Sequence, residues 1–141
     1  MNAGAPVETP ASAYIPAGEG AWRSTALTRG PWDPSHQHAG PPIALVCRAI
    51  EHAAHVHGLT HLSRLTANLL RPVPIGELHV EGATDYAGRN AGHFSARLHA
   101  QGKEVARFTS LMQRENPVAL PVIPVDEPSL SPKDAAAGTL A

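Results

Sequence analysis

The residues best suited to chemistry in this chain lie together in one polar segment, residues 30–42. The segment contains a carboxylate, Asp33, and two imidazoles, His36 and His38, and its four prolines and two glycines predict a loop. An apolar helical pattern begins directly afterwards, at Ile43. A titratable loop at a helix N-terminus can stabilise developing negative charge, so the segment predicts a site for a reaction that forms an oxyanion.

Two kinds of residue in this loop can act as a general base. Asp33 is the first candidate, and His36 or His38 is the second, because an unshifted imidazole titrates near pH ~6.5. Each also has a structural alternative. Asp33-Pro34-Ser35 is also favourable for a turn in which the Asp33 side chain bonds to its own backbone, and the histidines suit exposed or helix-capping positions. Gln37 is expected to orient a water molecule.

Donors for the oxyanion are expected at the start of the helix. Gly40 lets the backbone approach a ligand closely, and nearby N–H groups and the helix dipole favour negative charge there. Pro41 and Pro42 fit the first turn of a helix but remove two N–H donors. Asn68, further along the chain, is a candidate for an active site at a subunit interface, with structural hydrogen bonding as the alternative. Trp32 is expected to be a hydrophobic plug.

Composition bounds the class of protein. A chain of 141 residues with a net charge of -1 and scattered basic residues indicates one domain with no nucleic-acid or anionic-membrane partner. The single cysteine, Cys47, excludes a disulfide framework and suits a small core position in a reducing, cytoplasmic protein. Residues 1–10 lack the features of a signal peptide, and no apolar stretch approaches the ~20 residues of a membrane span.

One long helix is predicted at residues 42–57. Its apolar residues recur at helical spacing, and they are Ile43, Val46, Cys47, Ile50, Ala53 and Ala54. Gly58 is the expected C-terminal stop. Glu51, His52 and His55 lie on the other side. Because Glu51 precedes both histidines, this is not the zinc-protease order, so we expect a solvated helix face and no metal site.

Alternating apolar and polar residues predict an antiparallel sheet with one covered face. The predicted strands are residues 21–28, 62–71, 77–87, 93–100 and 104–113. The order is therefore strand, helix and four strands in a meander, which is an α+β architecture. These elements form a single domain at residues 12–115. Residues 1–11 are predicted to be a flexible N-terminus, and residues 116–141 to be a linker-like tail rich in proline and alanine.

Three motifs resemble the N-terminal hotdog half of the acyl-CoA thioesterase II-like family. They are residues 32–42 (Trp-Asp-Pro-Ser-His-Gln-His-Ala-Gly-Pro-Pro), 69–76 (Leu-Leu-Arg-Pro-Val-Pro-Ile-Gly) and 102–107 (Gly-Lys-Glu-Val-Ala-Arg). The resemblance implies a hotdog fold, with a central helix wrapped by a mostly antiparallel sheet of five to six strands. It also implies hydrolysis of acyl-CoA thioesters without a metal or other cofactor, coenzyme A being part of the substrate.

Two departures from the family affect what the resemblance implies. Members usually carry two fused hotdog halves, and in the best-known fused members the catalytic residues belong largely to the second half, which this chain does not match. The family's Gly-Gly before the helix is Ala39-Gly40 here. A homodimer, a higher homo-oligomer or a separate second hotdog subunit is therefore expected to complete the site.

Three functions stay open at this point. The first is acyl-CoA thioesterase activity, in lipid metabolism. The second is an enoyl-CoA hydratase or dehydratase of the same fold, whose His-x-x-x-Gly-x-x-x-x-Pro pattern fits at His36 and Gly40 but meets Leu45 in place of the proline. The third is a non-catalytic half that binds acyl-CoA and pairs with another hotdog subunit.

Overall fold

In the computed structural model, which describes residues 10–124, 131 and 133, one long helix packs against a six-stranded sheet. In chain order the elements are β1 (Tyr14–Gly18), β2 (Ala21–Ser24), a 3-10 helix (Ala26–Thr28), α1 (Gly40–His55), β3 (His61–Leu69), β4 (Glu77–Ala87), β5 (Ala91–Ala100) and β6 (Lys103–Gln113). The strand order across the sheet is β1-β2-β4-β5-β6-β3, and every neighbouring pair is antiparallel. The predicted meander of four strands is wrong at β3, which pairs with β6 and not with β4.

The predicted helix is confirmed, with its start two residues earlier than expected. Pro41 and Pro42 occupy its first turn, where a missing N–H group costs no hydrogen bond. The helix ends before Gly58, whose φ of 69° is the left-handed conformation that glycine favours after a helix. Cys47 is a free, half-buried thiol, and burial is the main cause that raises its pKa.

The core lies between the apolar stripe of α1 and the inner face of the sheet. Val46, Ile50 and Ala54 are buried against it. Each apolar residue predicted on one face of β5 is buried, and these are Phe94, Ala96, Leu98 and Ala100. Burying this face removes apolar surface from water, which is the main force that holds helix and sheet together.

The predicted first strand, residues 21–28, is wrong in extent. The chain forms the hairpin β1–β2 instead, and residues 26–28 turn into a 3-10 helix whose N-cap is Thr25. The Thr25 hydroxyl accepts a hydrogen bond from the Leu27 N–H group at 3.4 Å. β1 contains Pro16 and shows no clear alternation, and a proline is compatible with a strand at a sheet edge.

The flanking segments are described only in part. Of the predicted flexible N-terminus, residues 1–9 lie outside the described residues, and so do residues 125–130, 132 and 134–141 of the predicted tail. Residues 114–124 have no regular secondary structure. Within the described chain, no helix is both long enough and apolar enough to cross a membrane.

Candidate functional site

Backbone hydrogen bonds on two sides hold the loop that precedes α1. They run from Gly30 N to His36 O (2.9 Å), from His38 N to Thr28 O (2.8 Å), from Gln37 N to Val73 O (2.8 Å) and from Ile75 N to Ser35 O (2.8 Å). The loop is thus anchored both to the segment before it and to the segment that links β3 to β4. Its side chains therefore project from a defined backbone rather than from a free surface loop.

Gln37 is the buried anchor of the loop, with 8% of its surface exposed. Its Nε2 donates to the Pro74 carbonyl at 2.7 Å, and its Oε1 accepts from the Tyr14 hydroxyl at 2.6 Å. Burial raises the pKa of Tyr14 far above its usual range, so this hydroxyl keeps its proton. These contacts join the loop to β1, whereas the sequence predicted that Gln37 would orient a water molecule.

Asp33 closes a turn at the tip of the loop. Its Oδ1 accepts hydrogen bonds from the Ser35 N–H group at 2.8 Å and from the Ser35 hydroxyl at 2.6 Å. These bonds, followed by the nearby His36, hold the pKa of Asp33 below its ordinary value. A carboxylate that is stabilised in its charged form is a weaker proton acceptor.

His36 faces the other oxygen of the same carboxylate. The distance from His36 Nδ1 to Asp33 Oδ2 is 3.2 Å, and both side chains remain partly exposed. Because a carboxylate accepts hydrogen bonds, Nδ1 carries the proton of the neutral ring. In this tautomer the lone pair lies on Nε2, which is the hydrogen-bond acceptor of the ring.

His38 has the opposite arrangement. The Gly40 N–H group donates to His38 Nδ1 at 3.2 Å, so the proton of the neutral ring lies on Nε2. The helix N-cap residue, Ala39, makes no side-chain capping bond, and the His38 ring takes that role. The Gly40 N–H group, expected from sequence to be an oxyanion donor, is therefore already bound, while His38 Nε2 presents a donor.

The loop side chains surround a pocket of about 330 Å³. The candidate residues Asp33, His36, Gln37 and His38 all line it. Trp32 also lines it, but this side chain is 94% exposed, so the prediction of a hydrophobic plug is wrong.

Asn68 lies apart from the loop pocket. It is exposed on the edge strand β3, beside Arg107 of β6, whereas its neighbours Leu65 and Ala67 pack against the core. Its side chain therefore projects from the sheet face opposite the helix. His52 and His55 are exposed on α1, and the described residues contain no cluster of three metal-binding side chains.

A second concavity was missed from sequence. It has a volume of about 480 Å³ and runs between α1 and the β1–β2 hairpin. The helix wall consists of Pro41, Ala44, Leu45 and Arg48, and the strand wall includes Tyr14, Pro16 and Trp22. The helical spacing of Pro41, Ala44, Leu45 and Arg48 places these residues on one face of the helix and could have indicated this wall from sequence. The opposite wall could not be predicted, because β1 was not predicted.

Comparison with protein families decides where this chain belongs. The model described as the acyl-CoA thioesterase N-terminal domain matches residues 28–113, more than half of the chain. The chain belongs to this family. The match covers the loop, α1 and the strands β3 to β6, so the family relationship predicted from three short motifs is confirmed. Among curated proteins, none matches the chain.

Solved structures share the fold. The E. coli PaaI protein from the phenylacetic acid degradation operon is 24% identical, with a TM-score of 0.61 over 73% of this chain and 78% of that one. The smu.793 protein of Streptococcus mutans, bound to acetyl CoA, is 17% identical, with a TM-score of 0.59 over 72% and 90%. The BH2602 protein of Bacillus halodurans, with CoA, is 18% identical, with a TM-score of 0.59 over 67% and 66%. The predicted hotdog fold is thereby confirmed.

Proposed function

We propose that this chain is an acyl-CoA thioesterase whose reaction takes place in the loop pocket. The observation that carries the proposal is the pairing of a proton acceptor, His36 Nε2, with a donor, His38 Nε2, in one pocket at the start of α1. Membership of a thioesterase family supports this reaction class. The bound acetyl CoA and CoA in two proteins of the same fold support an acyl-CoA ligand.

The chemistry follows from the two histidines. His36 Nε2 removes a proton from a water molecule as the water oxygen attacks the thioester carbon, and the Asp33 carboxylate stabilises the imidazolium that forms. The carbonyl oxygen becomes an oxyanion and accepts a hydrogen bond from His38 Nε2, in the field of the helix dipole. The intermediate then collapses, the C–S bond breaks, and His36 returns its proton to the departing sulfur. In this proposal the reaction needs no metal or redox cofactor. Coenzyme A is part of the substrate.

In this proposal the general base is His36 and not Asp33. Asp33 was the first candidate on sequence, but its lowered pKa and its two bonds to Ser35 suit an orienting role better. His36 then accepts the proton, with Asp33 holding the ring in position. A positioned histidine of this kind contributes about 10²–10⁴-fold to the rate.

A thiol-release assay over acyl-CoAs of different chain length tests the proposal. Release of free thiol by the pure protein supports thioester hydrolysis. With crotonyl-CoA, loss of the enoyl absorbance without thiol would instead indicate hydration. Binding of CoA without either reaction would indicate the non-catalytic acyl-CoA-binding half and overturn the proposed activity.

We also propose that the protein acts as a homodimer or higher homo-oligomer in the cytoplasm, in lipid metabolism. β1 and β3 are open edges of the sheet, and an open edge readily pairs with another chain. The half-exposed Leu69 and Leu70 at the end of β3 add apolar surface there. A reducing compartment suits the free thiol of Cys47. Co-purification of a distinct second hotdog subunit would favour a hetero-oligomer instead.

A further inference from the structure

The groove beside α1 has the dimensions of a ligand site. Its helix wall follows one stripe from Pro41 to Arg48, and the seven helical rises between these two residues span about 10 Å. Its volume of about 480 Å³ lies in the usual range of small-molecule pockets, about 300–1,000 Å³. Apart from Arg48 and Tyr14, whose hydroxyl is bound to Gln37, the lining side chains are mainly apolar, so the groove suits a hydrocarbon chain along most of its length.

The two ends of the groove differ in chemistry. At one end, Pro41 follows Gly40, whose N–H group binds His38, and the adjacent Ala39 lines the loop pocket. The loop pocket and this end of the groove are thus lined by residues only two positions apart, Ala39 and Pro41. At the other end, two helical turns away, the groove reaches Arg48.

Arg48 presents an unused binding group. Its guanidinium lies over the ring of Trp22, with Cζ 5.1 Å from the ring centroid. A cation at this distance is attracted to the face of the aromatic ring, and this contact is not a hydrogen bond, so the N–H donors of Arg48 remain available. The described part of the chain offers Arg48 no hydrogen-bond or ion-pair partner. A guanidinium held beside the Trp22 ring at the end of an apolar groove is complementary to a carboxylate.

We propose that the groove binds the acyl chain of the substrate and that Arg48 binds a carboxylate at the far end of that chain. The substrate class is then an ω-carboxyacyl-CoA. A fully extended polypeptide advances about 3.3–3.6 Å for the three backbone bonds of each residue, and an extended hydrocarbon chain is similar. A length of ~10 Å therefore corresponds to about nine bonds. A ten-carbon dicarboxylic acyl group such as sebacoyl has this length. The position of the thioester in this scheme rests on the proposed function.

Binding of inert analogues tests the inference without turnover. S-decyl-CoA and its ω-carboxylate counterpart, both thioethers, are compared by calorimetry on the wild-type protein and on Arg48→Gln. We expect the carboxylate to bind about tenfold more tightly or better, as charge-assisted pairing implies. Arg48→Gln should abolish this preference and leave the affinity for S-decyl-CoA within about twofold. Arg64→Gln, a change of the exposed arginine on β3, is the matched control and should retain the preference.

Three results would overturn the inference. They are equal affinity of the wild-type protein for the two analogues, a preference that survives in Arg48→Gln, and an equal loss for both analogues and for free CoA. The last result would assign Arg48 to a phosphate of the coenzyme. Failure of the proposed function is distinguishable, because a protein that prefers the carboxylate analogue but releases no thiol from sebacoyl-CoA binds this ligand without hydrolysing its thioester.

Discussion

At the scale of single residues, the partner of each histidine decides its role. His36 donates to a carboxylate and keeps a free acceptor, whereas His38 accepts from a backbone N–H group and keeps a free donor. In the proposed reaction, the two identical side chains therefore take opposite parts, one as proton acceptor and one as donor. The physical basis is that a neutral imidazole carries only one proton, so its first hydrogen bond determines what the other nitrogen can do.

His36→Ala should lower kcat about 100-fold or more while the fold is retained, because a positioned general base typically contributes about 10²–10⁴-fold. Steady-state thiol release measures this. His52→Ala, which removes an exposed histidine on α1 outside the loop pocket, is the control and should stay within about twofold of wild type. Retention of near-wild-type kcat in His36→Ala would exclude it as the base.

Protonation of Asp33 should open the turn at the tip of the loop at a lower pH than an ordinary aspartate would need. Because the pKa of Asp33 is lowered in the folded protein, its hydrogen bonds persist below the ~3.9 of an unperturbed aspartate and are lost as the pH falls through the folded value. The amide proton of Ser35, followed by NMR, should report this transition. A midpoint at or above ~3.9 would contradict the prediction, and Asp33→Asn should show no such titration.

At the scale of elements, the start of α1 combines capping and chemistry. Pro41 and Pro42 need no partner for their nitrogens, and Gly40 supplies the N–H group that binds His38. The Gly40 N–H group, which has no partner within the helix, is therefore paired with His38. The same bond caps the helix and orients the His38 ring. Stability and the oxyanion donor thus depend on one side chain.

His38→Ala should destabilise the protein and reduce its activity together. Loss of a helix cap typically costs about 0.5–2 kcal/mol, and this exposed cap lies toward the lower end. Urea unfolding measures the change in free energy of unfolding, and thiol release measures the loss of the oxyanion donor. His52→Ala again serves as the comparison. An unchanged unfolding midpoint would show that the His38–Gly40 bond does not stabilise the helix.

At the scale of the whole molecule, the open strand β3 predicts how two copies meet. We expect the wild-type protein to sediment as a dimer at about tens of micromolar, since paired edges satisfy exposed backbone groups. Thr66→Lys, near the centre of β3, should weaken the dimer several-fold, because like charges oppose each other across a two-fold axis. Thr84→Lys on the interior strand β4 is the control. A monomeric wild type, or a Thr66→Lys dimer of unchanged affinity, would refute this interface.

Much of the architecture was predictable because its signals are local. The helical spacing from Ile43 to Ala54 and the alternation in β4 to β6 appear within a few residues of each other in sequence, and so do the glycine and proline stops. The strand β1 was not predictable, because five residues that include Pro16 have too little alternation to mark a strand. Its place at the edge of the sheet is fixed by pairing with β2.

The sequence alone determined the family, the α+β hotdog architecture and the loop in which to look for chemistry. Only the tertiary structure decided what each loop residue does. Gln37 is an anchor because Tyr14 and Pro74, which are distant in the chain, meet its amide. The apolar groove likewise exists only where β1 and β2 approach α1. Periodicity reports which face of an element is covered, whereas hydrogen-bond partners and cavities depend on how separate elements pack.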